Sequence, residues 1–263
     1  GELPNQVVGH HSAQIQEHQS DDGITLGGLF TKEIDEEPDD LEFDPQILET
    51  MLFARTAFID LLQNREYSLH DRLVNVLSAS AEIQYALDEE DTEEIKAIAQ
   101  ELSHPEIITE RVESLKKALP EKPLENAENM LLYLERLDFI GDILPQQIKD
   151  ASRFVKKLSA PLKAQTSGEY EKLAVYFVYR YFLKAVRDFD LLSKIKAMIV
   201  FVFAAEVINL SREQDAHARF ETVKELCKEI EYSGDNMDRI YDDSYLSDIF
   251  SDTSMLALLE WTL

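Results

Sequence analysis

Reactive chemistry in this sequence would have to come from six histidines, one cysteine and a large surplus of carboxylates. A metal site on helices needs carboxylates and histidines three or four residues apart and in duplicate, so that several ligands converge on one ion. Glu101-Leu-Ser-His104 has the spacing, but Pro105 follows at once and the pair reads as a solvated helix end. His10, His11 and His18 stand in a polar stretch and read as solvent-exposed side chains, so no metal ligand is assigned. Cys227 has Lys224 and Lys228 as helical neighbours, which would favour a thiolate. It lies, however, where an apolar stripe crosses Val223-Lys-Glu-Leu-Cys-Lys-Glu-Ile230, and reads as a buried structural thiol. The sequence has no glycine-rich phosphate loop, nucleophile elbow or HExxH motif, and Gly27-Gly28 is too isolated to make one.

One aromatic cluster remains. Tyr170, Tyr176, Phe177, Tyr179, Tyr181 and Phe182 surround nearly the whole of one helix and carry Arg180 in their midst. Aromatics on every face imply burial, and a buried arginine requires a carboxylate partner. Glu206 and Glu229, each interrupting an apolar stretch, are the candidates. Two readings stay open: a structural ion pair, or a polar pocket in which Arg180 and tyrosine hydroxyls such as those of Tyr179 and Tyr181 orient a ligand or a substrate side chain.

The elements that must position these residues are all helical. Asp44 can cap a helix whose first residue is Pro45, and Ile47, Met51, Leu52, Ala54, Phe58, Leu61 and Leu62 recur at helical spacing to residue 64. Ser68 with Asp71 resembles a capping box and opens a second helix over 68–88. Charge-rich segments 92–102 and 105–118 predict short exposed helices, followed by helices over 124–139 and 146–158 separated by Gly141 and Pro145. Pro, Ser and Gly at 158–168 mark a hinge. The most apolar part then predicts helices near 168–187, 189–210 and 212–232, and a short pair near 235–242 and 252–262. No strand pattern and no fixed repeat occurs, so the fold class is all-α, an orthogonal or bundle-like array of about 9–11 helices. The chain divides into a flexible acidic leading segment, 1–44, an N-terminal helical subdomain, 45–160, and a C-terminal one, 161–263.

Composition narrows the partners. Lys+Arg of 26 against Asp+Glu of 52 gives a formal charge of −26, which repels nucleic acid and anionic lipid surfaces. Ala197 to Leu210 spans about 14 residues and contains Glu206, whereas a membrane-spanning helix needs roughly 20, so it reads as a buried core helix. Residues 1–22 lack the features of a signal peptide, and one cysteine allows no intrachain disulfide, so the default location is cytoplasmic. Gly1 without a preceding Met suggests a processed chain or a fragment.

Three stretches carry a family resemblance: Leu61-Leu-Gln-Asn-Arg-Glu-Tyr-Ser-Leu69 with Asp71-Arg-Leu73; Tyr176-Phe-Val-Tyr-Arg-Tyr-Phe-Leu-Lys-Ala185 with Asp190-Leu-Leu192; and Lys228-Glu-Ile-Glu-Tyr-Ser233 leading to Asn236. Over roughly 45–260 the chain resembles the helical portion of bacterial flagellin lysine-N-methylases. That resemblance implies methyl transfer to lysine ε-amino groups of flagellin, with S-adenosylmethionine and a cysteine-held iron–sulfur cluster in a complete member. With Cys227 alone, this chain carries no such cluster segment and is expected to be incompetent by itself. The resemblance adds Asn236 to Arg180, Tyr181 and Glu229 as matching positions of a shared pocket or scaffold. Its catalytic residues are not assigned.

Two functions of different class therefore stand side by side. One is a protein-lysine N-methyltransferase region, whose acidity attracts a lysine-bearing protein. The other is a non-catalytic acidic helical adaptor that binds a protein partner.

Overall fold

Asp44 is the first residue that the computed structural model describes; the described residues are 44–118, 122–162, 167–212 and 215–261. The leading segment lies outside them apart from Asp44, and so does part of the expected hinge. Among the described residues there are eleven helices and no strand, which is the all-α array the sequence predicts.

The helices begin where local chemistry starts them. In α1, Pro45–Gln63, the Gln46 N–H donates to the Asp44 carboxylate at 2.7 Å. In α2, Leu69–Asp88, the Asp71 N–H donates to Ser68 Oγ at 3.1 Å. The charge-rich pair α3, Thr92–Glu101, and α4, Pro105–Ala118, is amphipathic and buries Ile95, Ile98, Ala99, Ile108 and Val112, so it is less exposed than charge alone predicts.

Tertiary bonds move several boundaries. The helix expected to reach residue 139 is α5, Pro123–Leu134. It stops because Asn236 takes over the backbone of Asp138, whose N–H donates to Oδ1 at 3.0 Å and whose carbonyl accepts from Nδ2 at 2.6 Å. The next helix, α6, Ile143–Val155, starts before Pro145, since a proline in the first turn removes an N–H that has no helical partner anyway. Helix α7, Ser167–Tyr181, tightens into a 3₁₀ turn at Phe182–Lys184 and one last turn at Ala185–Asp188. It ends at Phe189, with a left-handed φ of 53°. Gln84 of α2 secures this corner, donating to the Phe189 carbonyl and accepting the N–H groups of Leu191 and Leu192.

The centre is α8, Leu192–Arg212, buried from Ser193 to Asn209 and packed against α2, α6 and α7. Three further elements also pack on it: α9, Ala216–Leu226; α10, Gly234–Leu246; and α11, Asp252–Leu259. A helix apolar on all sides must be surrounded in this way. One hydrophobic cluster runs from Ile47 to Trp261 and draws on helices before and after residue 160. No helix among the described residues is long and apolar enough to cross a membrane.

Candidate functional site

Between α9 and α10 the chain makes one turn of π-helix, Cys227–Glu231, in which the Tyr232 N–H reaches the Cys227 carbonyl, five residues back, at 2.9 Å. Such a turn adds a residue to the helical register and rotates every side chain after it. Glu229, Ile230 and Glu231 are consequently all buried, which three successive residues on one face of an α-helix cannot be.

Glu231 is the centre of the candidate site. Its side chain is 0% exposed, yet it is a carboxylate. Oε1 accepts from Tyr176 Oη at 2.5 Å and Tyr181 Oη at 2.7 Å, and lies 3.2 Å from Arg180 Nε. Oε2, equally buried, has no hydrogen-bond partner among the described residues. Burial first, then hydrogen bonding to Glu231, pushes the Tyr176 and Tyr181 hydroxyls well above the usual tyrosine range, so both stay protonated donors. The Cys227 thiol is pushed up by burial and then by the hydrogen bond it donates to the Glu231 carboxylate, which removes the thiolate its lysine neighbours would favour.

Arg180 closes the site without being buried. Its side chain is 47% exposed, and its guanidinium lies over the rings of Tyr181 at 5.5 Å and of Tyr176 and Tyr232 at 5.9 Å each. Nε also donates to Tyr181 Oη at 3.1 Å. A carboxylate floor with aromatic walls is an arrangement that binds a cation, and here the chain supplies two of its own, the Arg180 guanidinium and Lys184 Nζ, which lies 4.9 Å from the centre of the Tyr181 ring.

The other candidate residues sit elsewhere. Tyr179 is exposed on the α1 side of α7, with the Arg55 guanidinium 5.4 Å from its ring centre. Glu206 is buried in α8 near Tyr170, whose hydroxyl is pushed up to about 12, chiefly by burial. Glu229 turns to the loop before α6, accepting from the Ile140 N–H at 2.7 Å and the Gly141 N–H at 3.1 Å, with Lys228 Nζ 3.0 Å away. Those amides, Gly141 first, hold its carboxyl below the usual range. Asn236 pins the same loop through Asp138. Of the residues singled out, the structure brings Arg180 and Tyr181 to one site. Neither Glu206 nor Glu229 is the carboxylate on Arg180; Glu231 is. A regular 3.6-residue period that turns Ile230 inward turns Glu231 outward, so the π turn hid it.

The model of the FliB lysine N-methylase C-terminal domain family matches residues 55–258. The chain belongs to this family. The matched stretch of this FliB lysine N-methylase C-terminal domain includes α7, the π turn and α10, and so every residue around Glu231. No curated protein and no solved structure matches the chain.

Proposed function

We propose that this region is the substrate-binding helical part of a protein-lysine N-methyltransferase, and that Glu231 receives the target lysine's ammonium among Tyr176, Tyr181 and Tyr232. The observation that carries the reading is Glu231 Oε2, a buried acceptor with no hydrogen-bond partner among the described residues, at the foot of a tyrosine-lined depression in a lysine N-methylase family. A buried acceptor without a donor is costly, and a lysine N–H would satisfy it. Arg180 holds the cation's place, and its half-exposed side chain swings out as the substrate enters. The formal charge of −26 draws lysine-bearing proteins toward the molecule. Methyl transfer requires a neutral amine, and Glu231 Oε2 is placed to take the proton from the ammonium nitrogen.

The cofactors implied by the resemblance do not fit the donors around Glu231. An iron–sulfur cluster is held by several thiolates, whereas the sequence has one cysteine, whose thiol is held protonated. S-adenosylmethionine presents ribose hydroxyls and an adenine edge that need polar partners. The apolar groove beside the site offers one carboxylate, Glu169, already bound to Arg219. On this reading the methyl group is delivered by another segment or protein. Flagellin is the first substrate protein to try.

The adaptor reading is the alternative. Calorimetry separates the two, with synthetic peptides carrying one central lysine or norleucine in its place. Preference for lysine of at least tenfold, lost in Glu231→Gln, is the result expected. Equal binding of both peptides would overturn the lysine site and leave the adaptor.

A further inference from the structure

A second depression, about 920 Å³ in volume, lies between α7 and α9. Leu173, Phe220 and Val223 give it an apolar surface, and Tyr176 and Tyr232 also line it. Phe220 is 64% exposed and Tyr232 67%, an unusual waste of aromatic surface for a helix whose other face is packed. The lining of the groove is richer in cations than the chain as a whole, with Glu221, Glu225 and Glu229 standing behind Lys224 and Lys228. Its lining holds four cations, Lys172, Arg219, Lys224 and Lys228, and one anion, Glu169, in a molecule with twice as many acids as bases. Arg219 is committed to Glu169 by two bonds of 2.7 and 2.9 Å. Lys224 is engaged by Glu221 in an i,i+3 pair, and such surface pairs contribute little and exchange readily. Lys228 is held at 3.0 Å by the buried Glu229, with Glu225 at 3.4 Å. Lys172 has no salt bridge among the described residues.

We infer that this groove docks an amphipathic helix of a partner protein, with apolar side chains at i, i+3, i+4 and i+7 in the groove and carboxylates against Lys172 and Lys224. Helix-in-groove recognition needs an apolar trough of this kind, and the basic rim selects the flanking charge. The groove and the Glu231 depression share Tyr232. On the lysine reading above, the docked helix is the substrate segment that leads its lysine past Tyr232 to Glu231; the docking itself does not depend on that reading.

The probe is a fluorescein-labelled, lysine-free helical peptide with Leu at those positions and Glu between them, measured by fluorescence anisotropy against the full chain. A charge-reversed twin with Lys in place of Glu is the control. The acidic peptide is expected to bind at least tenfold more tightly than its twin. Phe220→Ala, an exposed position that leaves the fold alone, and Lys224→Glu should each weaken it several-fold. Equal binding of the twin, or indifference to both groove variants, would overturn the docking groove. Self-association of the chain that Phe220→Ala abolishes would overturn it too, because the occupant would then be a second copy. The lysine-free probe keeps failure here distinct from failure at Glu231.

Discussion

Two buried carboxylates show how differently one residue type can be used. Glu171 of α7 is saturated: Arg72, itself buried, donates to it at 2.8 Å and Arg65 at 2.9 Å, while Arg72 also donates to the Leu62 carbonyl. Glu231 keeps one oxygen without a partner among the described residues. The first is a tie between helices and the second has the form of a site. Glu171→Ala strands the Arg72 guanidinium and should cost about 3–5 kcal/mol in urea unfolding; a loss below about 1 kcal/mol would contradict the tie. Hydrogen bonding from Arg65, and then from Arg72, holds the Glu171 carboxyl below its usual 4.5. Its contribution is therefore complete above about pH 4.5 and fades as pH falls through the lower folded value. Glu171→Gln should flatten the stability curve in that acid range and leave its shape above pH 5 unchanged.

At the level of elements, the helices are largely legible because each announces itself twice, by apolar spacing and by a cap such as Asp44 or Ser68. The features that sequence does not reveal are set by distant partners. The end of α5 depends on Asn236, roughly a hundred residues away, and the start of α8 on Gln84. The π turn breaks the period that sequence reading assumes, and Glu231 is not among the candidates because Glu206 and Glu229 stand out as carboxylates that interrupt apolar stretches. The turn lets its two buried carboxylates serve two directions, the tyrosines of α7 and the loop at 140–141. That loop has little room, since a Cβ on Gly141 would come within 3.0 Å of Glu229 Oε1. Gly141→Ala should cost about 1 kcal/mol in denaturant unfolding by crowding that carboxylate, and Gly234→Ala, where a Cβ meets nothing, should cost less. Equal losses would show that the Glu229 contact does not constrain the loop.

For the whole molecule, composition and pattern are enough for the all-α class, and three stretches of sequence for the family, because both rest on features that local sequence carries. The site is half legible: Arg180 and Tyr181 stand out as polar groups in an aromatic helix, but their floor does not. The charge of −26 has a cost, because like charges are held close in the folded state. Raising salt from about 20 to 200 mM should raise the melting temperature by screening that repulsion, and a fall would mean that ion pairs such as those on Glu171 outweigh it. The same field brings lysine side chains to the surface, but Glu231 has to accept them. The most direct measurement is calorimetric titration of n-butylammonium, a bare lysine side chain, into Arg180→Ala and into Arg180→Ala/Glu231→Gln. Saturable binding to the first is expected, because its site has lost the guanidinium and keeps only Lys184 at its edge, with at least a tenfold loss in the second. Absence of binding to Arg180→Ala, or equal binding to both, would contradict a lysine site at Glu231.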